Sequence, residues 1–177
     1  MKQVICLLAN GFEEIEAITP IDLLRRAGVG VTTASLSEKW LTGRSGIRIE
    51  ADAFLNDLTI EDYDLLLIPG GPGVAEMRRD PRCAELAARF HESGLAIAAI
   101  CAAPLLLHDA GLLAGRKFSA HSLTNAELPG ALAERVTVDD KLITSRGAGT
   151  SLDFSLALIT YLVGENAASD IAASIMA

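Results

Sequence analysis

The sequence predicts a doubly wound α/β sandwich with a mostly parallel sheet, on three observations. Apolar, strand-like runs alternate along the chain with amphipathic helical stretches. Two of those runs, residues 65–68 and 96–100, are apolar throughout, as parallel strands covered by helices on both faces must be. No repeat, linker or low-complexity tract divides the 177 residues, a length that suits one domain around a sizeable core. Residues 1–177 are therefore read as a single domain.

Residues 3–8 form the first strand. Residues 13–27 follow as a helix, with Asn10 as N-cap, Glu13 three positions on and Gly28 as the stop. Pro20 lies inside that stretch and should kink or split it. Residues 31–35 make a second strand, and residues 40–51 hold short strands around the turn Gly43-Arg-Ser-Gly46. A third long-range strand occupies 64–69 and runs into Gly70-Gly71. Residues 81–92 are helical, with Gly94 beyond the end, and the strand at 95–100 comes next. Residues 118–120 read as a short strand. A hairpin joins 135–138 to 141–144 around Asp139-Asp140, and two helices, the first at 151–163, complete the chain.

Half the residues are hydrophobic and 21% are charged, which is ordinary for a compact globular chain. A net charge of −8 argues against nucleic acid as the main partner. Arg78, Arg79 and Arg82 read as a solvated helix face. Residues 4–8 are too short for a signal segment, and the longest apolar run, 95–107, is too short for a membrane span and contains Pro104. The three cysteines, Cys6, Cys83 and Cys101, lack metal-ligand spacing and read as free thiols. The expectation is a cytoplasmic protein with no membrane, metal or nucleic-acid partner.

The segment Ala96-Ile-Ala-Ala-Ile-Cys-Ala-Ala-Pro104 carries the chemistry. An apolar strand stops at Cys101, small residues flank it, and helix-compatible residues follow. A nucleophile elbow needs this pattern, because a sharp strand-to-helix turn with little bulk beside it holds one side chain above the sheet. A thiol there meets backbone N–H groups that favour its thiolate. A buried structural cysteine at a strand end fits the same residues. In a doubly wound sheet, ligands bind beyond the carboxyl ends of the strands. The loop 10–16, the loop 70–73 and Cys101 should converge there. The N–H groups of Gly71 and Ala102 would then form an oxyanion hole.

Glu13, Glu14 and Glu16 crowd one helical turn. Glu13 and Glu14 read as surface acids that complement the helix dipole. Glu16, if near Cys101, would have a raised pKa, share a proton with the thiol, or act as general base. Of three histidines, His91 and His108 read as structural, and His121 is the plausible partner for Cys101. Neither Gly71-Pro-Gly73 nor Gly147-Ala-Gly149 completes a dinucleotide fingerprint, and no Walker lysine or zinc spacing occurs, so no cofactor is inferred.

Four segments resemble the ThiJ/PfpI superfamily and, within it, the DJ-one-like branch: Gly11-Phe-Glu-Glu-Ile-Glu16, Leu66-Leu-Ile-Pro-Gly-Gly71, Ala98-Ala-Ile-Cys-Ala-Ala-Pro104 and Thr144-Ser-Arg-Gly-Ala-Gly-Thr-Ser151. The resemblance covers nearly the whole chain. It implies a flavodoxin-like three-layer sandwich, usually a homodimer with active sites near the interface. It makes Cys101 the reactive cysteine, Glu16 its protonated partner, and Gly71 and Ala102 the oxyanion donors. Arg26 and Arg44 resemble family arginines near the dimer interface, with Glu13 close by. His121 falls where the family has a nearby histidine, although the usual proline after it is Ser122 here. Ala102 stands where protease-like members carry a histidine, which weakens a peptidase reading. No histidine follows His121, so a glutamine amidotransferase does not fit.

The resemblance implies a cofactor-independent enzyme of glyoxalase III or deglycase type, acting on a small reactive carbonyl or glycated substrate. The alternative is an oxidative-stress sensor or redox-controlled chaperone using the same cysteine. A cysteine hydrolase is third.

Overall fold

The computed structural model describes residues 1–177. The elements run β1 (Gln3–Leu8), α1 (Glu14–Arg26), β2 (Gly30–Ser35), β3 (Trp40–Thr42), β4 (Arg48–Glu50), β5 (Ala53–Phe54), β6 (Leu65–Ile68), α2 (Val74–Arg79), α3 (Pro81–Glu92), β7 (Ala96–Ile100), α4 (Pro104–Asp109), β8 (Val136–Asp139), β9 (Leu142–Ser145), α5 (Ser151–Leu162) and α6 (Glu165–Ser174). Seven strands form one sheet in the order β5-β2-β1-β6-β7-β9-β8. Only β8, paired to β9, is antiparallel within it. Strands β3 and β4 make a separate antiparallel hairpin. The doubly wound α/β architecture is thus present.

Alternation of side chains along the central strands divides the core in two. Ile5, Leu7, Leu66, Ile68, Ile97 and Ala99 pack with Met77 of α2, Phe90 of α3 and Leu106 of α4. Val4, Cys6, Leu65, Leu67, Ala98 and Ile100 face the other way, against Leu24 of α1 and Phe154 and Leu158 of α5. The sheet is covered on both faces, which is why its inner strands tolerate no polar alternation.

The structure departs from the sequence reading at several points. Asn10 does not cap α1. Its Oδ1 accepts from the Thr42 N–H at 2.9 Å and its Nδ2 donates to Glu38 at 2.9 Å, so it ties the end of β1 to β3. Glu13 takes the N-cap position without a side-chain cap bond. Pro20 does not split α1. It removes the N–H that would pair with the Glu16 carbonyl, at a cost of about 3 kcal/mol. Burial of Ala17, Ile21, Leu23 and Leu24 outweighs that, at roughly 1.5–3 kcal/mol for each large apolar side chain. The strand expected at 118–120 is a single bridge between Ser119 and Leu132. Nor are the arginines at 78 and 82 simply solvated. Arg78 bridges Asp109 and Glu127, and Arg82 pairs with Asp80 while donating to the Leu36 carbonyl. No helix is long and apolar enough to cross a membrane.

Candidate active site

Strand β7 ends at Ile100, and Cys101 follows with a φ of 66°, one of three non-glycine residues in the left-handed region. That conformation is strained for a side chain bearing a Cβ and marks a held turn. Two main-chain bonds hold it. The Cys101 N–H donates to the Ser145 carbonyl at 2.9 Å, and the Cys101 carbonyl accepts from the His121 N–H at 2.8 Å. Ala102 and Ala103 turn the chain into α4. The elbow is therefore present, and its cysteine is half-buried, whereas Cys6 and Cys83 are fully enclosed.

The glycine loop after β6 comes against it. Phe12, Glu13 and the glycines are locked together: the Glu13 N–H donates to the Gly70 carbonyl at 3.0 Å, and the Gly73 N–H to the Gly11 carbonyl at 3.1 Å. A Cβ at Gly70 would lie 2.6 Å from Glu16 Oε2 and 2.7 Å from the Cys101 Cβ. No side chain fits at 70 while those two groups stay where they are.

Glu16 is 1% exposed. Its Oε2 accepts from the Gly70 N–H at 2.9 Å, and its carboxyl lies close to Cys101 across Gly70. Burial raises its pKa to about 7, against the ordinary 4.5. The nearby Glu13 charge adds to the rise, while Cys101, the Gly70 N–H and Arg44 oppose it. Burial also pushes the Cys101 thiol up, and a charged Glu16 pushes it further, to about 12, while the N–H groups of Ala102 and Gly71 pull it down. The short α4 supplies little dipole, so the thiolate gains less from the helix end than its sequence position promised. Glu16, at about 7, therefore releases its proton before the thiol does, and its carboxylate is the base that takes the Cys101 proton when sulfur attacks.

The expected residues are not all brought together. Glu16, Cys101, Gly71 and Ala102 converge. Glu13 lies beside them and accepts from Arg44 Nη1 at 3.1 Å. Arg26 does not join them; it pairs with Asp22 one turn back on α1. His121 reaches Cys101 through the main chain, and its Nδ1 accepts from the Leu123 N–H at 3.1 Å. The neutral ring therefore carries its proton on Nε2 and offers a donor there, not a base. Glu13 and Glu14 are buried, contrary to their reading as surface acids. Glu14 Oε1 accepts from the N–H groups of Ser45 and Ile47. Burial pushes the Glu14 carboxyl up, but its own N–H and those of Ser45 and Ile47 outweigh this and hold it below 4.5.

Sequence reasoning missed the Gly70 N–H and the Ser145 carbonyl. The paired glycines after an apolar strand were the available signal for the first. Nothing local marks the second, because strand neighbours are set by topology. No cluster of three or more His, Cys, Asp or Glu residues is arranged to hold a metal ion.

Residues 2–161 match the DJ-1/PfpI family. The chain is 34% identical over 182 residues to protein DJ-1 homolog A of Arabidopsis thaliana, covering 99% of this chain and 46% of that protein, so it spans about half the length of that relative. It is 34% identical over 164 residues to the glutathione-independent glyoxalase DJR-1.2 of Caenorhabditis elegans, covering 91% of this chain and 88% of that one. Among solved structures, oxidized Toxoplasma gondii DJ-1 superposes with a TM-score of 0.94 at 34% identity, covering 99% of this chain and 98% of that chain. With the fold, the elbow and these similarities together, the chain belongs to the DJ-1/PfpI family.

Proposed function

We propose that this protein is a cofactor-independent glyoxalase that converts methylglyoxal to lactate through Cys101. The observation that carries the reading is the Glu16–Cys101 pair, a buried carboxyl whose pKa is raised to about 7 set against a half-buried thiol on a left-handed elbow. Similarity to a relative named glutathione-independent glyoxalase supports it.

The sulfur adds to the aldehyde carbon, and the carbonyl electron pair moves to oxygen beneath the N–H groups of Gly71 and Ala102. Glu16 gives its proton to that oxygen. As a carboxylate it then takes the C–H proton from the same carbon, leaving an enediolate with its charge on the neighbouring oxygen, to which the hydroxyl proton of the first oxygen passes. It returns the proton to the neighbouring carbon, which produces a lactoyl thioester on Cys101. Water displaces the sulfur, giving lactate and restoring the thiol. His121, with Nε2–H, is a donor to substrate oxygen in this scheme. Deglycation of thiol or amine adducts would use the same addition to sulfur. The test is product identity: lactate should accumulate from methylglyoxal with no thiol cofactor added. Consumption of methylglyoxal without lactate would remove the reading.

A second reading has its own supporting observation. Of the three thiols, Cys101 alone is partly open, whereas Cys6 and Cys83 are enclosed. Redox sensing or redox-controlled chaperone action would begin when a Cys101 thiolate attacks peroxide, forming an S–O bond as the O–O bond breaks and water leaves. Intact-mass and peptide analysis after graded peroxide should find oxygen added at Cys101 first. Oxidation of Cys6 or Cys83 at the lowest doses would contradict this.

A further inference from the structure

We infer that the cavity beside the elbow binds a carboxylate, so that the preferred substrates are short oxo-aldehydes carrying a carboxylate at the end away from the reacting carbonyl. This rests on the glyoxalase reading and names its substrate class.

The cavity has a volume of about 630 Å³ and is walled by His121, Asn125, Arg135, Arg146, Gly147 and Thr150 among others. The chain carries a net charge of −8, yet none of the thirteen lining residues is Asp or Glu. Two arginines, an imidazole, an amide and hydroxyl groups face this space, so its walls offer donors in an otherwise acidic molecule.

The two arginines differ. Arg135 is neutralised by Asp153 and also donates to the Gly149 carbonyl. Arg146 donates one N–H to the Ala133 carbonyl at 2.9 Å, which fixes its guanidinium on the cavity wall. It forms no ion pair within the chain. Its remaining N–H groups and full charge are free for a planar, bidentate acceptor. One unneutralised guanidinium beside neutral donors matches the single charge of a carboxylate.

The register brings the Arg146 backbone next to the elbow. Ile100 pairs with Ser145, so Cys101 and Arg146 are the first residues beyond two adjacent parallel strands. Such strands lie about 4.8 Å apart. The His121 ring, whose main chain is bonded to Cys101, stands against Gly147: a Cβ there would be 3.3 Å from Cδ2. His121 is the residue shared by the elbow and the cavity; Cys101, Glu16, Gly71 and Ala102 are not among the cavity's lining residues.

The test compares 4,5-dioxopentanoate, which is methylglyoxal extended by a carboxylate arm, with methylglyoxal itself on wild type and Arg146→Gln. Wild type should favour the acid in kcat/KM, and Arg146→Gln should lower that preference about 10- to 100-fold, the value of a charge-assisted bond. Turnover of both substrates with the same ratio in the two proteins would overturn the inference and leave the glyoxalase reading standing. If neither substrate turns over, the reading falls, and calorimetric titration with 4-oxopentanoate decides the inference independently. Binding that weakens tenfold or more in Arg146→Gln supports the site, and absence of binding to wild type overturns it. Tighter binding of inorganic phosphate than of 4-oxopentanoate, lost in the same variant, would assign the cavity to phosphate and overturn the carboxylate assignment.

Discussion

Replacing Glu16 with alanine should lower kcat for lactate formation by about 10²- to 10⁴-fold, the usual value of a positioned general acid–base. The size of the effect follows from its two tasks, supplying a proton to the new oxygen and carrying the C–H proton between carbons. The pair also sets the pH dependence. Near pH 7, the raised pKa of Glu16, the pair loses its first proton, which leaves a carboxylate able to take the thiol proton as sulfur attacks. Wild-type kcat/KM should therefore rise with pH through about 7. Stability should move the opposite way. Between pH 4.5 and about 7 the folded protein keeps a proton that the unfolded chain has released, so stability falls as pH rises through that window. Glu16→Gln has no such proton to lose. Its Tm relative to wild type should climb across the window and level off above it, as read by calorimetry. A difference that stays flat from pH 4.5 to 8 would contradict burial of an ionisable Glu16.

Gly71→Ala should lose about 10²- to 10³-fold in kcat, the value of one oxyanion donor. Gly71 has a φ of 96°, and a Cβ there would lie 2.5 Å from the Gly11 carbonyl oxygen and 2.6 Å from the Glu13 nitrogen. Both neighbours are backbone and cannot swing aside, so the loop must move and take the Gly71 N–H away from sulfur. Strain of this kind costs about 1–3 kcal/mol. Gly46→Ala supplies the control. It has a φ of 91° and nothing within 4 Å of the added Cβ, so it should show the stability loss without the kcat loss. Equal kcat in the two variants would remove Gly71 from the oxyanion hole.

The sheet was legible where burial alone dictates sequence. Strands β6 and β7 are apolar at every position because both faces are covered, and β1 and α3 fall where their residues placed them. Short elements were not legible. Helix α2 has six residues, too few for a periodicity, and β5 has two. Asn10 fits a cap by spacing, but the β3–β4 hairpin offers its side chain a better partner in the Thr42 N–H. Glu14 looks like a surface acid for the same reason: the N–H groups of Ser45 and Ile47 that bond its Oε1 are more than thirty residues away. At the site, Cys101 was readable because an elbow needs small neighbours in sequence. Glu16 was readable as its partner because the loop after the first strand and the elbow both lie beyond the carboxyl ends of the strands. The Ser145 carbonyl and the position of Arg146 depend on which strands lie side by side, and no local pattern encodes that.

The central claim, that Cys101 performs nucleophilic chemistry on a small carbonyl, is tested most directly by lactate formation from methylglyoxal without glutathione, comparing wild type with Cys101→Ser. The side chains are nearly the same size, so the fold should survive, and circular dichroism would verify this. The account predicts sustained turnover by wild type and none above background by Cys101→Ser. Lactate production by Cys101→Ser at the wild-type rate would contradict it.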